Sequence, residues 1–149
     1  MAGNNDPIYS KVGSITSVAV TAANTSSQGG GTIGTDIFLA FTADATNGSF
    51  VRDVRMLPTS TAAATNTTAT VARVFLSTVS SGATTSSNTH LIGELALAAQ
   101  SADNTTSAVY PVVLPLNFAL PPGMTILVTN HAAPATNTLW KITVTGGSY

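Results

Sequence analysis

The sequence contains no cysteine and very few charged residues. Without cysteine, disulfides, thiolate metal sites and cysteine nucleophiles are excluded. Only 7% of the 149 residues are charged, whereas about a quarter is typical of soluble domains, and the formal net charge is −1. The chain therefore has no basic field to attract nucleic acid, and we expect no nucleic-acid partner. Its length fits one ordinary domain.

Long apolar runs and targeting signals are also missing. No apolar run approaches the roughly 18 residues of a membrane span, so we expect no membrane association. Residues 1–7 have neither the basic nor the apolar segment of a secretory signal peptide, which predicts folding in a cytoplasm. The low charge is compatible with two arrangements that composition leaves open. The surface is solvated by hydroxyl and amide groups, or much of it is buried against partners in an assembly.

Few residues are suited to catalysis. His90 and His131 each fall at a predicted loop–strand junction, with no sequence neighbour that would orient the ring. Residues 44–48 resemble the start of a calcium loop but lack its dense oxygen ligands and its closing Glu. A turn stabilised by the Asp44 side chain is expected there instead. We expect a protein that is not an enzyme and has neither a cofactor nor a metal site.

The chain does contain apolar residues at every second position, as in strands with one buried face. In residues 110–120 all six same-parity positions are apolar. The interspersed prolines remove ladder donors, which predicts either an edge strand or a strand broken in two. Residues 140–145 alternate in the same way and should place Trp140 in the core. Residues 36–43 are almost continuously apolar, which predicts a central strand covered on both faces.

Taken together, about eight short strands are separated by loops rich in Ser, Thr, Asn and Gly. The remaining predicted strands are 15–22, 49–57, 69–78, 90–98 and 124–130. This pattern predicts an all-β chain folded as a single antiparallel β-sandwich, with the jelly roll as a candidate topology. Residues 1–14 do not alternate and are predicted to form a short N-terminal arm before a sandwich domain of residues 15–149. The arm either docks on a neighbouring subunit or anchors on its own domain.

Candidate interaction residues come from the rare charges and from the chain ends. Most of the charges lie inside predicted strands, where they would pair across neighbouring strands of one domain or across a subunit contact. Both ends carry aromatic residues, which are enriched in interface hot spots. The candidate interface residues are Pro7, Ile8, Tyr9, Arg52, Arg55, Arg73, Glu94 and Tyr149.

Five segments resemble small structural proteins of tailed-bacteriophage virions. They are 5–13 (NDPIYSKVG), 50–52 (FVR), 70–75 (TVARVF), 116–123 (LNFALPPG) and 144–149 (VTGGSY). The resemblance implies a β-rich capsid decoration, or cement, protein that binds the phage head in many copies, frequently as a homotrimer. The implied partners are the major capsid protein or other virion proteins, and the implied location is the virion, assembled in the host cytoplasm. The predicted arm is shorter than the arm with which one type of cement protein reaches across capsomers.

The same resemblance also fits a tail, fibre or neck component. In that role the polar loops 59–68 and 80–89 would bind a receptor or a glycan, because Ser, Thr, Asn and Gly are adaptable recognition residues. Against this role, the loops are poor in the aromatic and acidic residues that bind sugars. Two functional hypotheses therefore stand: a structural interaction protein and a binding module.

Overall fold

The computed structural model describes residues 10–63, 65–103, 105 and 108–149, and these contain ten strands and no helix. The strands are β1 (Val12–Val20), β2 (Gly31–Thr32), β3 (Phe38–Thr42), β4 (Ser49–Ser60), β5 (Thr70–Ser77), β6 (Ala83–Thr84), β7 (Thr89–Leu97), β8 (Val112–Leu120), β9 (Thr125–Asn130) and β10 (Thr138–Ser148). The chain is all-β and folds as an antiparallel sandwich, as predicted. The part of the predicted arm at residues 1–9 lies outside the described residues.

Eight of the strands form two four-stranded sheets. Sheet A has the order β1-β10-β4-β8, sheet B has the order β3-β9-β5-β7, and β2 pairs with β6 in a separate ribbon. The pairs β1·β10, β3·β9, β4·β8 and β5·β7 are nested in sequence and all antiparallel. The chain is thus one long hairpin rolled into two layers, which is the jelly-roll topology. The pairs β10·β4 and β5·β9 complete the two sheets.

The core lies between the two sheets, because every second side chain of each strand faces inward. Trp140 is buried there, as its parity with Ile142 and Val144 predicts. The other fully buried inward residues of sheet A include Val20, Val51, Val54 and Met56, and those of sheet B include Ala72, Val74, Ile126 and Val128. On the flank where β1 meets β3, the Thr16 hydroxyl donates to the carbonyl of Ala40 and joins the layers.

Two predictions about strand position have different outcomes. β8 is the outermost strand of sheet A, which confirms that residues 110–120 contain an edge strand. β3 also lies at an edge, in sheet B, so the prediction that residues 36–43 form a central strand is wrong. The run is apolar because both of its faces are covered: Phe38 packs in the main core, while Ile37 and Leu39 belong to a second apolar cluster outside the sheet.

The turn before β4 is stabilised by the Asp44 side chain, as predicted. The N–H groups of Thr46 and Asn47 donate to Asp44 Oδ1 over 3.0 Å and 2.7 Å. These bonds hold the pKa of Asp44 below its usual value, because they stabilise the carboxylate. Gly48 ends the turn with a φ of 75°, a conformation that a side chain would strain.

Candidate protein interaction face

The outward side of sheet B, here called the covered face, is buried by the chain's own loops. Phe75 on β5 and Leu127 on β9 point away from the main core, and yet both are fully buried. They pack with Ile37, Ile33 and Leu39 in the second apolar cluster. Ile33 and Ile37 belong to the segment between β1 and β3, so this segment folds over the sheet. Over β5 and β9 the covered face therefore has little surface left for a partner, whereas Leu91 on the edge strand β7 stays 40% exposed.

Arg73 holds this covering segment to the sheet. Its Nη1 donates to the carbonyl oxygens of Asn24 and Thr25 over 3.4 Å and 3.3 Å. Its Nε donates to Glu94 Oε1 over 2.6 Å, directly across the β5·β7 ladder. The guanidinium is nearly buried, so each of these bonds replaces one with water. Arg73 is thus committed to contacts within its own chain.

The covering segment is also bonded internally. The Asn24 amide donates to Asp36 Oδ2 over 3.1 Å and to the carbonyl of Gly30 over 3.0 Å. The Asp36 carboxylate accepts in turn from the backbone N–H of Thr32 over 2.7 Å. Gly31 pairs with Thr84 in the β2·β6 ribbon, which ties the segment to the loop between β5 and β7. Residues far apart in sequence thus form one cover over sheet B.

The outward side of sheet A is here called the open face, and none of the residues that the structure describes folds over it as a cover. Its exposed side chains come from all four strands: Ile15 on β1, Lys141 on β10, Arg55 on β4 and Val113 on β8. Ile15 is 76% exposed although it sits in the middle of a strand. Exposed apolar residues at both edges of the sheet, with charged residues between them, make this face a candidate site of protein contact.

The centre of the open face is a cluster of two arginines around one carboxylate. Arg52 Nε donates to Asp53 Oδ2 over 2.8 Å, and Arg55 Nε donates to Asp53 Oδ1 over 3.3 Å. The Thr145 hydroxyl also donates to Oδ1 over 2.7 Å. Burial raises the pKa of Asp53, but these hydrogen bonds and the two guanidiniums outweigh it, so the pKa lies below its usual value. Asp53 neutralises only one of the two arginines. Because Lys141 adds a further positive charge, the open face stays cationic.

A concavity of about 640 Å³ lies at the β1 margin of the open face. It is lined by Ser10, Gly13, Ser14, Ile15, Phe50, Arg52, Thr145 and Gly146. A β-bulge forms it: Thr145 pairs with Asp53 and Gly146 with Val51, so Arg52 has no partner on β10. Gly146 is required there, because a Cβ would lie 2.3 Å from the carbonyl oxygen of Phe50. Gly13 leaves the opposite wall without a side chain.

The structure separates the sequence-predicted interface residues into three groups. Arg52 and Arg55 lie on the open face, where they pair with Asp53 of their own strand instead of with a neighbouring strand. Arg73 and Glu94 pair with each other across sheet B. Tyr149 follows β10, is half-buried, and its N–H lies 3.5 Å from the carbonyl oxygen of Gly48. The candidates Pro7, Ile8 and Tyr9 lie outside the described residues.

Sequence reasoning misses the concavity and the cover. The predicted strand 15–22 includes Ile15 without setting it apart, although its parity opposes that of Val18 and Val20, which face the core. This parity is the available signal for an exposed apolar residue. The signal for the cover is Ile33, which is the only large apolar residue in the predicted loop 24–34.

The chemically reactive side chains are spread out. His90 is exposed on β7, and His131 Nδ1 lies 3.4 Å from Arg73 Nη1. Within the described ranges, no three His, Asp or Glu side chains gather closely enough to hold a metal ion. Nor does the part of the chain that the structure describes contain a helix long and apolar enough to cross a membrane.

Comparisons with known proteins leave the family open. No protein-family model matches the chain, and no curated protein does. Among solved structures, the chain is similar to one from the capsid asymmetric unit of cyanophage Pam1, with 16% sequence identity and a TM-score of 0.42. The match covers 98% of this chain and 91% of that one. A similarity at this identity and TM-score does not identify a function.

Proposed function

We propose that this chain is a structural protein of a bacteriophage virion, and specifically a non-catalytic decoration protein that binds the outside of the head. The observation that carries the proposal is the contrast between the faces of the sandwich. The outward side of β5 and β9 in sheet B is covered by the chain's own loops, whereas sheet A leaves a four-stranded face on which Ile15 and Val113 are exposed. The five sequence segments that resemble virion proteins support the same role.

The charge of the open face indicates what kind of partner surface it fits. Arg52, Arg55 and Lys141 stand against one anion, Asp53, on a chain whose formal net charge is −1. A partner that docks here should carry carboxylates opposite these cations, because like charges across an interface are costly. The major capsid protein is the proposed partner. Because many copies would bind to the head, contacts that are individually weak would together give stable binding.

The proposal is tested by co-sedimentation with heads that lack the protein. Wild-type protein should bind such heads at saturable stoichiometry, and cryo-EM should place sheet A against the shell. Lys141→Glu should weaken binding at least about tenfold, because it turns an attractive charge into a repulsive one at the contact. Ser86→Glu is the matched control: it adds the same side chain at an exposed position in the loop between β6 and β7. It should bind like wild type.

Two results would contradict this role. Wild-type protein that does not sediment with heads would reject decoration. Loss of binding in Ser86→Glu but not in Lys141→Glu would reject sheet A as the docking face. Binding to isolated tails or to host glycans, lost when loop 59–68 or 80–89 is replaced, would support the receptor-binding alternative instead.

A further inference from the structure

The concavity leaves apolar groups in water at one edge of the sandwich. Ile15 stands on its wall, and Phe50 reaches it from β4. Its volume of about 640 Å³ lies within the range of about 300–1,000 Å³ that is typical of ligand-binding clefts and cavities. The Arg52 side chain is 57% exposed, so a cationic group stands beside the apolar wall. The site therefore suits an apolar group that has an anionic neighbour.

Exposed apolar residues with an anionic neighbour lie on the opposite flank of the same chain. β1 and β8 are the two edges of sheet A, and β7 is the sheet B edge that contacts β8, where Leu114 packs against Gly93. On β7, Val74 pairs with Gly93 and Phe75 with Leu91, so Ile92 is an extra residue in a bulge. Leu91 and Ile92 are 40% and 36% exposed, and the Glu94 side chain is 45% exposed. These three residues are here called the β7 corner.

We propose that the β7 corner of one copy packs into the concavity of a second copy. The contact would bury Leu91 and Ile92 against Ile15 and Phe50, which removes two exposed apolar patches from water at once. It also brings the half-exposed carboxylate of Glu94, which is bonded to Arg73, towards the exposed guanidinium of Arg52 on the other copy, which is bonded to Asp53, so that opposite charges face each other. Pairing of two concavities with each other would instead bring two Arg52 side chains together.

The contact is heterologous, because the concavity and the β7 corner are different surfaces on opposite flanks. Each copy therefore offers one of each and can bind a neighbour on both sides. Such a contact closes into a ring when its rotation permits, and otherwise extends as a chain. The inference does not depend on the proposed capsid role, since both halves of the contact lie within this protein.

The decisive experiment mixes two variants that each lose one half of the contact. Ile15→Asp places a charge in the concavity, and Ile92→Asp places one on the β7 corner. Each variant alone should associate at least about tenfold more weakly than wild type in sedimentation velocity, because an unpaired charge would be buried in an apolar contact. An equimolar mixture still contains one intact corner and one intact concavity. It should form a species of twice the 15.0-kDa chain mass that does not grow further.

Controls distinguish this contact from association through a different surface. Tyr110→Ser alters an aromatic residue that lies outside both surfaces and that, at 74%, is nearly as exposed as Ile15. This variant should associate like wild type. Circular dichroism should show that both aspartate variants are folded, and Leu91→Ser provides a second corner variant without a new charge. Wild type that stays monomeric up to about 1 mM would overturn the proposal. So would a mixture that stays monomeric, unchanged association of both corner variants, or loss of association in Tyr110→Ser.

The outcome is also separable from that of the capsid proposal. The association assay contains no heads, and Lys141 lies outside both contact surfaces. If copies associate as described but heads are not bound, the contact stands and the decoration role fails.

Discussion

The outward faces of the two sheets are built on the same alternating strand pattern and yet differ in what they meet. On sheet B, Phe75 and Leu127 point outward and are fully buried, because the segment after β1 folds over them. On sheet A, Ile15 points outward and is 76% exposed. Arginine also behaves differently on the two faces. Arg73 is nearly buried and bonds the cover, whereas Arg52 and Arg55 are exposed around Asp53.

An outward apolar residue therefore has two different physical roles in this fold. On the covered face it contributes to the stability of the single chain. On the open face it contributes almost nothing until a partner arrives, because the residue stays in water in the free protein. Matched substitutions on the two faces should therefore have very different effects on stability.

The largest contrast should come from aliphatic truncation. Leu127→Ala should lower the free energy of unfolding by about 2–5 kcal/mol, because it removes buried apolar atoms and leaves a cavity. Ile15→Ala should change it by less than about 0.5 kcal/mol, as expected for a surface position. Urea denaturation of both variants measures these changes in the free energy of unfolding. Equal losses would show that the open face is covered in solution.

The next contrast concerns arginine. Arg73→Ala should cost about 2–3 kcal/mol, because it leaves the carbonyl groups of Asn24 and Thr25 without their charged donor. Hydrogen exchange should quicken at Ile33 and nearby amides as the cover loosens. Arg55→Ala should cost less than about 1 kcal/mol, as exposed ion pairs do. Unchanged exchange at Ile33 in Arg73→Ala would mean that the cover is held without this side chain.

Glycine substitutions give a smaller contrast. A Cβ at Gly31 would lie 2.6 Å from Asn24 Nδ2 and 2.8 Å from Asp36 Oδ1. Gly31→Ala should therefore destabilise by about 1–2 kcal/mol, since the cover must shift to admit the methyl group. Gly13→Ala, on the open face, has no atom within 4 Å of its Cβ. Thermal unfolding should show a clear decrease in Tm for the first variant and almost none for the second.

The smallest effect should be the pH dependence that Asp53 contributes. Its folded pKa lies below the unfolded value of 3.8, so its stabilisation is complete above about pH 4 and is lost as the pH falls through the folded pKa. Asp53→Asn should cost about 1 kcal/mol near neutral pH, because the carboxylate is shielded but both arginines are exposed. The difference in the free energy of unfolding between Asp53→Asn and wild type should shrink below pH 4, as measured by urea titrations. A difference that grows with acid would contradict the lowered pKa.

The local structure could be predicted because it depends on residues close together in sequence. The strands follow from alternation, the edge position of β8 from its prolines, the burial of Trp140 from parity with Ile142, and the Asp44 turn from its short polar side chain. The strand order could not be predicted, because the nested pairs join residues as far apart as Val12 and Ser148. The concavity could not be predicted either, since it depends on a register shift between β10 and β4.

Alternation and composition suffice to predict that the chain forms strands, that those strands need a two-layered core, and that few charges are available to solvate the rest. Which outward face is covered and which is left open depends on how distant segments pack in the folded chain. Alternation places side chains on the two sides of a strand, but what lies over each side comes from segments distant in sequence, such as Gly31 paired with Thr84 over sheet B. The open face of sheet A exists because no described segment folds over it in the same way.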